Sequence, residues 1–161
     1  MVSIGILGLG NWGSAIAKMW LDDGHKVKGW TIESEVYESI TMENINHKYL
    51  PKLSLKGMDV SMHIADTLDG VEVVVLAVPS SVILDVVDQV IPHLRPRHVI
   101  IDLAKGLAPG NQMISHAIQE KLTAAGISNP LAVVTGPTIA PEAAAGVMTT
   151  ALVASEDISV A

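Results

Sequence analysis

Three glycines near the N-terminus, Gly8, Gly10 and Gly13, constrain the fold of this chain more than any other feature. They follow the apolar run at residues 2–7, which is typical of a buried parallel strand. Apolar residues then recur at helical spacing up to the stop at residues 22–24. A strand, a glycine turn and a helix in this order are the context in which the pattern Gly-x-Gly-x-x-Gly indicates dinucleotide binding.

Each glycine has a separate task in this prediction. Gly8 permits the tight turn, Gly10 lets the backbone approach a pyrophosphate, and Gly13 lets the helix pack closely against the strand. The phosphates would lie on the free N–H groups of the helix N-terminus, where the helix dipole favours negative charge. In the alternative interpretation the glycines form a tight turn and nothing more. A second strand at residues 25–31 completes a βαβ unit and favours the dinucleotide.

The composition predicts one α/β domain over residues 1–161. The chain has 161 residues, of which 49% are hydrophobic and only 3% aromatic, so its core must be built from Val, Ile, Leu, Ala and Met. Such a core is typical of a parallel sheet covered by helices. Together with the glycine motif, this indicates a Rossmann-type, doubly wound, mostly parallel sheet with helices on both faces.

Charge and cysteine content exclude several classes of function. A net charge of −7, without clusters of Lys or Arg, argues against nucleic acid as a partner. The chain contains no cysteine, which excludes disulfides and thiolate chemistry and fits a cytoplasmic protein. We expect no metal site, no signal peptide and no membrane span.

Glu33 follows the second strand, about twenty residues after the last motif glycine, where an acidic side chain binds the ribose hydroxyls of NAD. It could equally be a solvated residue in the first turn of the next helix. No Arg lies nearby to bind a 2′-phosphate, so NAD is favoured over NADP. Residues 44–51 then read as a loop over the sheet edge, and His47 in this loop as a solvated side chain rather than a ligand or base.

The second half of the chain continues the alternation of strands and helices. We expect strands at residues 59–62, 71–78, 98–103, 131–135 and 149–154, and helices up to Gln89, over 109–125 and up to Gly146. Ser80 reads as a cap of the helix that follows Pro79, although its turn also leaves the carboxyl end of a strand, where open α/β sheets bind ligands. Lys105 follows a strand at the carboxyl edge, so its ammonium could face a phosphate or a polarised carbonyl, or could be an ordinary solvated lysine.

Five segments in the same order resemble the NAD(P)-dependent sn-glycerol-3-phosphate dehydrogenase family. They are Gly-Leu-Gly-Asn-Trp-Gly-Ser-Ala-Ile-Ala-Lys at 8–18, Asn-His-Lys-Tyr-Leu-Pro at 46–51, Val-Pro-Ser at 78–80, Lys-Gly-Leu at 105–107, and Gly-Pro-Thr-Ile-Ala-Pro-Glu at 136–142. The resemblance implies an enzyme that interconverts sn-glycerol 3-phosphate and dihydroxyacetone phosphate by hydride transfer with NAD or NADP. It also implies a supply of glycerol 3-phosphate for glycerophospholipid synthesis.

The resemblance also assigns roles to individual residues. Lys105 is implied to contact the substrate and to lie near the cofactor. The other implied cofactor contacts are Asn11, Trp12, Pro79, Val82 and Ala140, and the other implied substrate contacts are Gly136 and Thr138.

The chain departs from the family pattern at two positions in the sequence and in its length. Ala108 stands where many members have an acidic residue, and residues 31–33 lack the Arg of many bacterial members. Members of the family continue into a helical second domain, which supplies the general acid/base lysine, and form homodimers. We therefore expect this chain to bind NAD weakly and to turn over nothing by itself. A hydroxyacid, 6-phosphogluconate or ketopantoate dehydrogenase and a non-catalytic NAD-sensing module are the alternatives.

Overall fold

The computed structural model describes residues 1–158 and 160. Residues 159 and 161 of the predicted domain lie outside the described part. In chain order the strands and helices are β1 (Ser3–Leu7), α1 (Asn11–Asp22), β2 (Lys26–Trp30), α2 (Ser34–Glu43), β3 (Ile45–Asn46), β4 (Leu50–Ser54), β5 (Asp59–Ser61), α3 (Ile64–Leu68), β6 (Val73–Leu76), α4 (Ile83–Val90), β7 (Val99–Asp102), β8 (Leu107–Ala108), β9 (Gln112–Met113), α5 (Ile114–Ala124), β10 (Leu131–Thr135), α6 (Ala140–Ala144) and β11 (Leu152–Ser155).

A seven-stranded sheet in the order β11-β10-β7-β6-β1-β2-β5 forms the centre of the described molecule. Its strands are parallel except for β11, which pairs antiparallel with β10. The chain adds β2 and β5 on one side of β1 and then returns to place β6 on the other side. Open α/β sheets bind their ligands at such a reversal, outside the carboxyl ends of the strands. The predicted Rossmann-type architecture is confirmed.

Two apolar clusters cover the two faces of the sheet. On one face, Ile4 and Ile6 of β1 pack in a cluster with residues of α1, α2 and α6. On the other face, Leu7 packs in a cluster with residues of α3, α4 and α5. These three apolar side chains are fully or almost fully buried. The burial of each one contributes about 1.5–3 kcal/mol to the stability of the fold. The expected helices on both faces of the sheet are therefore present.

Residues 44–51, predicted as a loop, belong to a β-hairpin, so that prediction is wrong. Helix α2 ends at Glu43, and its C-cap residue Asn44 adopts the left-handed conformation (φ 58°) and turns the chain back. Strands β3 and β4 then pair antiparallel apart from the main sheet. Pro51 is compatible with this arrangement, because a strand of an isolated pair has one edge that needs no N–H donor.

The predicted helix over 109–125 begins later, at Ile114. Residues Pro109–Asn111 form a short 3-10 turn between β8 and β9 instead. Gly110 and Asn111 have φ angles of 76° and 61°, which are typical of a hairpin turn and incompatible with an α-helix. Pro109 therefore begins the short turn between β8 and β9, and not the first turn of α5.

The prediction that Ser80 caps the following helix is also wrong. Helix α4 begins at Ile83, and its N-cap residue is Val82, without any capping hydrogen bond from a side chain. Ser80 lies instead against the chain after β7, since a Cβ atom at Gly106 would be 3.2 Å from the Ser80 Oγ. Within residues 1–158 and 160, the structure has no helix of the length and apolar character needed to cross a bilayer.

Candidate functional site

A cleft of about 990 Å³ lies along the carboxyl ends of the central strands. Ten of the predicted site residues line it: Gly8, Gly10, Asn11, Trp12, Glu33, Pro79, Val82, Lys105, Thr138 and Ala140. The structure thus brings together segments that lie up to about 130 positions apart in the chain, as parallel α/β sheets do at their carboxyl edge. Gly13 and Gly136, also predicted as site residues, are not among the residues that line the cleft.

Packing within the protein explains why Gly8 and Gly13 are glycines. Gly8 has a φ of 106°, and a Cβ atom there would lie 2.8 Å from the carbonyl oxygen of Ala77. At Gly13, in the first turn of α1, a Cβ atom would lie only 1.9 Å from the carbonyl oxygen of Gly8. The tight turn and the close approach of helix and strand, predicted from the sequence, are both confirmed.

Gly10 differs from these two glycines, because nothing in the protein requires a glycine there. Its φ of −72° is accessible to any residue, and a Cβ atom would meet no heavy atom within 4 Å. The open space lies on the cleft at the start of α1, which has neither a capping side chain nor an acidic residue in its first turn. The first N–H groups of a helix have no acceptor within it. This position therefore has the room and the hydrogen-bond donors that a phosphate group needs.

Two buried polar side chains hold the glycine turn in place, and sequence reasoning missed both. The carbonyl oxygen of Leu9 accepts hydrogen bonds from Ser14 Oγ (3.0 Å) and from Asn46 Nδ2 (2.9 Å). Asn46 Nδ2 also donates to Ser14 Oγ at 2.9 Å, and both side chains are fully buried. The β3–β4 hairpin is therefore fastened directly to the glycine turn. Both residues lie in motifs noted in the sequence, Ser14 in residues 8–18 and Asn46 at the start of residues 46–51, but neither motif reveals these contacts.

Glu33 lies between β2 and α2, at the N-cap position of the helix, and its side chain lines the cleft. Its Oε1 accepts a hydrogen bond from the hydroxyl of Tyr49 at 2.9 Å, and its Oε2 contacts the ammonium of Lys48. The hydrogen bond from Lys48 is the main reason that the pKa of Glu33 lies below its usual value. The Tyr49 pKa is raised, chiefly by its hydrogen bond to Glu33. Glu33 is therefore an ionised acceptor on the cleft.

Lys105 also lines the cleft and brings three segments of the chain together. Its exposed ammonium is 3.5 Å from the carbonyl oxygen of Thr138 and 5.8 Å from the centre of the Trp12 ring. Three residues before Lys105, the nearly fully buried Asp102 accepts a hydrogen bond from the Ala104 N–H at 2.8 Å. Burial raises the pKa of Asp102 to about 6. Through this hydrogen bond the side chain of Asp102 holds the backbone of the turn that carries Lys105, a role that the strand pattern did not indicate.

The remaining predicted positions lie outside the cleft. His47 is exposed, and its Nε2 lies 2.9 Å from Glu43 Oε2, in agreement with the solvated interpretation. Gly136 is a glycine for a structural reason, because a Cβ atom there would lie 2.7 Å from the carbonyl oxygen of Thr150. Among the described residues, no three His, Cys, Asp or Glu side chains are grouped as a metal site requires.

Comparison with known proteins connects this cleft to a dehydrogenase family. The family profile described as "NAD-dependent glycerol-3-phosphate dehydrogenase N-terminus" matches residues 3–161. The NAD(P)+ glycerol-3-phosphate dehydrogenase of Corynebacterium urealyticum is 34% identical over 158 residues, which cover 98% of this chain and 47% of that protein. The chain therefore spans about half the length of the curated relatives that it matches.

Solved structures show the same similarity. The crystal structure of glycerol-3-phosphate dehydrogenase from Coxiella burnetii matches with a TM-score of 0.89 and 30% identity, over 98% of this chain and 48% of that one. The structure of glycerol-3-phosphate dehydrogenase from Saccharomyces cerevisiae matches with a TM-score of 0.82 and 25% identity, over 96% of this chain and 47% of that one. Both cover nearly the whole chain.

Proposed function

Since the chain belongs to the family of NAD-dependent glycerol-3-phosphate dehydrogenase N-terminal domains, we propose that it binds NAD in the cleft as the cofactor half of an oxidoreductase. The whole enzyme interconverts sn-glycerol 3-phosphate and dihydroxyacetone phosphate. The names of the relatives support this substrate pair, and their NAD(P)+ designation allows NADP as a second cofactor.

The observation that carries the proposal is the open space at Gly10. Backbone conformation and packing explain the other two motif glycines within the protein itself, but they leave Gly10 unexplained. A ligand that approaches the main chain at this point accounts for it, because a side chain would occupy the ligand's place. The diphosphate of a dinucleotide has the charge that the start of α1 favours.

In this proposal, different groups along the cleft contact different parts of the cofactor and the substrate. The N–H groups at the start of α1 hold the diphosphate, and Glu33 accepts hydrogen bonds from the adenosine ribose. At the opposite end, Lys105 places a positive charge where negative charge grows on the carbonyl oxygen of the substrate during reduction. Trp12 keeps the ammonium at this end through a cation–π contact. The bound cofactor supplies the hydride.

We expect this chain by itself to bind NAD and to turn over no dihydroxyacetone phosphate. The relatives that it matches are about twice as long. The family resemblance implies that the general acid/base lysine belongs to the helical second domain. Turnover by the purified 161-residue chain would contradict this prediction. The homodimer, the supply of glycerol 3-phosphate to glycerophospholipid synthesis and the cytoplasmic location also remain predictions.

Isothermal titration calorimetry with NAD tests the proposal through the variant Gly10→Ala. A methyl group in the open space should lower the affinity for NAD by at least about tenfold, because it separates the backbone from the diphosphate. The free energy of unfolding should change by less than about 1 kcal/mol, since the methyl group contacts nothing in the protein. Wild-type chain that releases no heat with NAD, or a Gly10→Ala variant that binds like wild type, would contradict the proposal.

A further inference from the structure

Asn46 is a fully buried side chain on β3, and both ends of its amide group are hydrogen-bonded. Its Nδ2 donates to the carbonyl oxygen of Leu9 and to Ser14 Oγ, both at 2.9 Å. Its Oδ1 accepts a hydrogen bond from the Tyr49 N–H at 3.2 Å. These partners determine the orientation of the amide, because a carbonyl oxygen only accepts and a backbone N–H only donates. Both N–H donors of the amide are therefore directed at the glycine turn and the start of α1.

The carbonyl group of Leu9 belongs to the same peptide unit as the N–H group of Gly10. A trans peptide unit is planar, and its C=O and N–H groups point in opposite directions. Because the Leu9 carbonyl points at the buried side chains of Ser14 and Asn46, the Gly10 N–H points away from them. Gly10 itself lines the cleft. The direction of one buried carbonyl group therefore determines the direction of one N–H donor at the cleft.

Asn46 is needed for this direction because the peptide unit between Leu9 and Gly10 can rotate. The backbone dihedrals on both sides of a peptide unit are soft, and a glycine tolerates more of their values than other residues do. A buried carbonyl oxygen that loses a donor is destabilised, so its rotation toward the open cleft becomes favourable. The rotated peptide would place the Leu9 oxygen where the Gly10 N–H was, and its partial negative charge would repel a diphosphate.

We propose that Asn46 is a positioning residue of the cofactor site, which holds the peptide unit between Leu9 and Gly10 so that the Gly10 N–H donates to the diphosphate. Asn46 lies 37 positions after Leu9 and is not among the residues that line the cleft. Through it, the β3–β4 hairpin contributes to diphosphate binding without contacting the ligand. The inference rests on the proposed function, since it requires the diphosphate to lie at Gly10.

Asn46→Ala tests the inference by calorimetry and by amide NMR spectroscopy of the 161-residue chain. The affinity for NAD should fall by at least about tenfold, because the peptide unit no longer offers its N–H to the diphosphate. In the wild-type chain, saturating NAD should move the amide proton signal of Gly10 downfield, as expected of a hydrogen bond to a charged oxygen. In Asn46→Ala this downfield shift should be absent at saturation. A side chain that only stabilises the fold would leave the shift at saturation unchanged.

Asn129→Ala is the matched control, because Asn129 makes similar hydrogen bonds at the amino ends of the strands, away from the cleft. Its Nδ2 donates to the carbonyl oxygens of Arg95 (2.8 Å) and His98 (2.7 Å), and its side chain is also buried. We expect the thermal unfolding midpoint to fall by several degrees in both alanine variants. The affinity of Asn129→Ala for NAD should stay within about threefold of wild type, and its Gly10 signal should still move downfield.

Asn46→Leu repeats the measurement with a side chain of the same branched shape that offers no donor, so that a cavity does not decide the result. We expect the same loss of NAD affinity and of the downfield shift as in Asn46→Ala. If both Asn46 variants fail to fold while Asn129→Ala folds, the inference is overturned, because Asn46 is then a requirement of the fold itself.

The measurements separate failure of this inference from failure of the proposed function. If the wild-type chain binds no NAD, the proposed function fails. If wild type binds NAD and Asn46→Ala binds it equally well, or still shows the downfield shift of Gly10 at saturation, dinucleotide binding stands and Asn46 does not position the glycine turn. Equal losses of NAD affinity in Asn46→Ala and Asn129→Ala would overturn the inference as well, since both would then act through stability.

Discussion

Two turns that line the cleft, the glycine turn and the lysine turn, are built in different ways. The glycine turn, residues 8–13, is anchored to the packed interior. Gly13 and Gly8 leave no space for a methyl group, and Ser14 and Asn46 bind its Leu9 carbonyl from buried positions. The lysine turn, residues 102–106, presents an exposed ammonium that a single hydrogen bond of 3.5 Å and one ring contact hold in place.

Because of this difference, substitutions in the two turns should differ in how far they affect stability as well as function. In the glycine turn the atoms that face the ligand are backbone atoms whose positions the core determines, so most changes there affect folding and binding together. In the lysine turn the functional group lies at the end of a long side chain in solvent, where truncation removes little packing. Except at Gly10, changes in the glycine turn should therefore affect stability and binding together, whereas a change at Lys105 should affect the chemistry alone.

Gly13→Ala should have the largest effect on stability. A Cβ atom 1.9 Å from the Gly8 carbonyl oxygen forces α1 away from the turn, because neither partner is a flexible side chain. We expect the free energy of unfolding to fall by at least about 3 kcal/mol, at the upper end for overpacked sites, and NAD binding to be lost with it. Urea denaturation and calorimetry measure the two effects.

The matched comparison is Gly10→Ala, which introduces the same methyl group three residues earlier, where no heavy atom lies within 4 Å. There we expect binding to fall while stability is maintained. Equal destabilisation by the two variants would show that the glycine turn is uniformly packed and that Gly10 has no special role toward a ligand.

Asp102→Asn should have the next largest effect, and the effect should depend on pH. The pKa of Asp102 rises from 3.8 to about 6 in the folded chain because of burial, so the folded state holds its proton more tightly than the unfolded state. The stability that this carboxyl contributes is present below about pH 4 and is lost as the pH rises through about 6. Asn cannot ionise. The stability of wild type relative to Asp102→Asn should therefore be about 2–3 kcal/mol more favourable at pH 4 than at pH 8.

Urea denaturation of both proteins at the two pH values checks this prediction, since groups that titrate alike in both cancel in the difference. A difference between wild type and variant that stays constant with pH would mean that burial leaves the pKa of Asp102 the same in the folded chain as in the unfolded chain. A protonated, buried Asp102 carboxyl would then contribute nothing to the stability of the lysine turn.

The contrast between the glycine turn and the lysine turn also explains what the sequence could predict. The glycine turn was predictable because its determinants lie within a few consecutive residues, and each glycine has a distinct conformational or steric role. The hydrogen bond from Asn46 to Leu9 joins residues 37 positions apart, and no local pattern encodes such a pair. The same holds for Lys48, which lies on the β3–β4 hairpin and contacts Glu33 from 15 positions further along the chain.

The lysine turn was predictable in position but not in detail. A buried strand followed by Lys105 and Gly106 indicated the carboxyl edge of the sheet, and the structure places them there. The burial of Asp102 depends on the neighbouring strands β6 and β10, which pair with β7 on both sides. Ser80 was assigned to a cap from its position before a helix, whereas helix α4 begins three residues later.

Lys105→Ala should have the smallest effect on stability and therefore tests the comparison most directly. The ammonium is exposed and makes one long hydrogen bond, so its loss should change the free energy of unfolding by less than about 0.5 kcal/mol. We expect NAD affinity to stay within about threefold, since the diphosphate and ribose are held elsewhere. In a protein that includes the second half, reduction of dihydroxyacetone phosphate should fall by about 100-fold or more, because the charge on the carbonyl oxygen loses its partner. If NAD affinity falls as far as activity does, Lys105 is a cofactor-binding residue, and a module that only senses NAD explains the lysine turn better than a catalytic one.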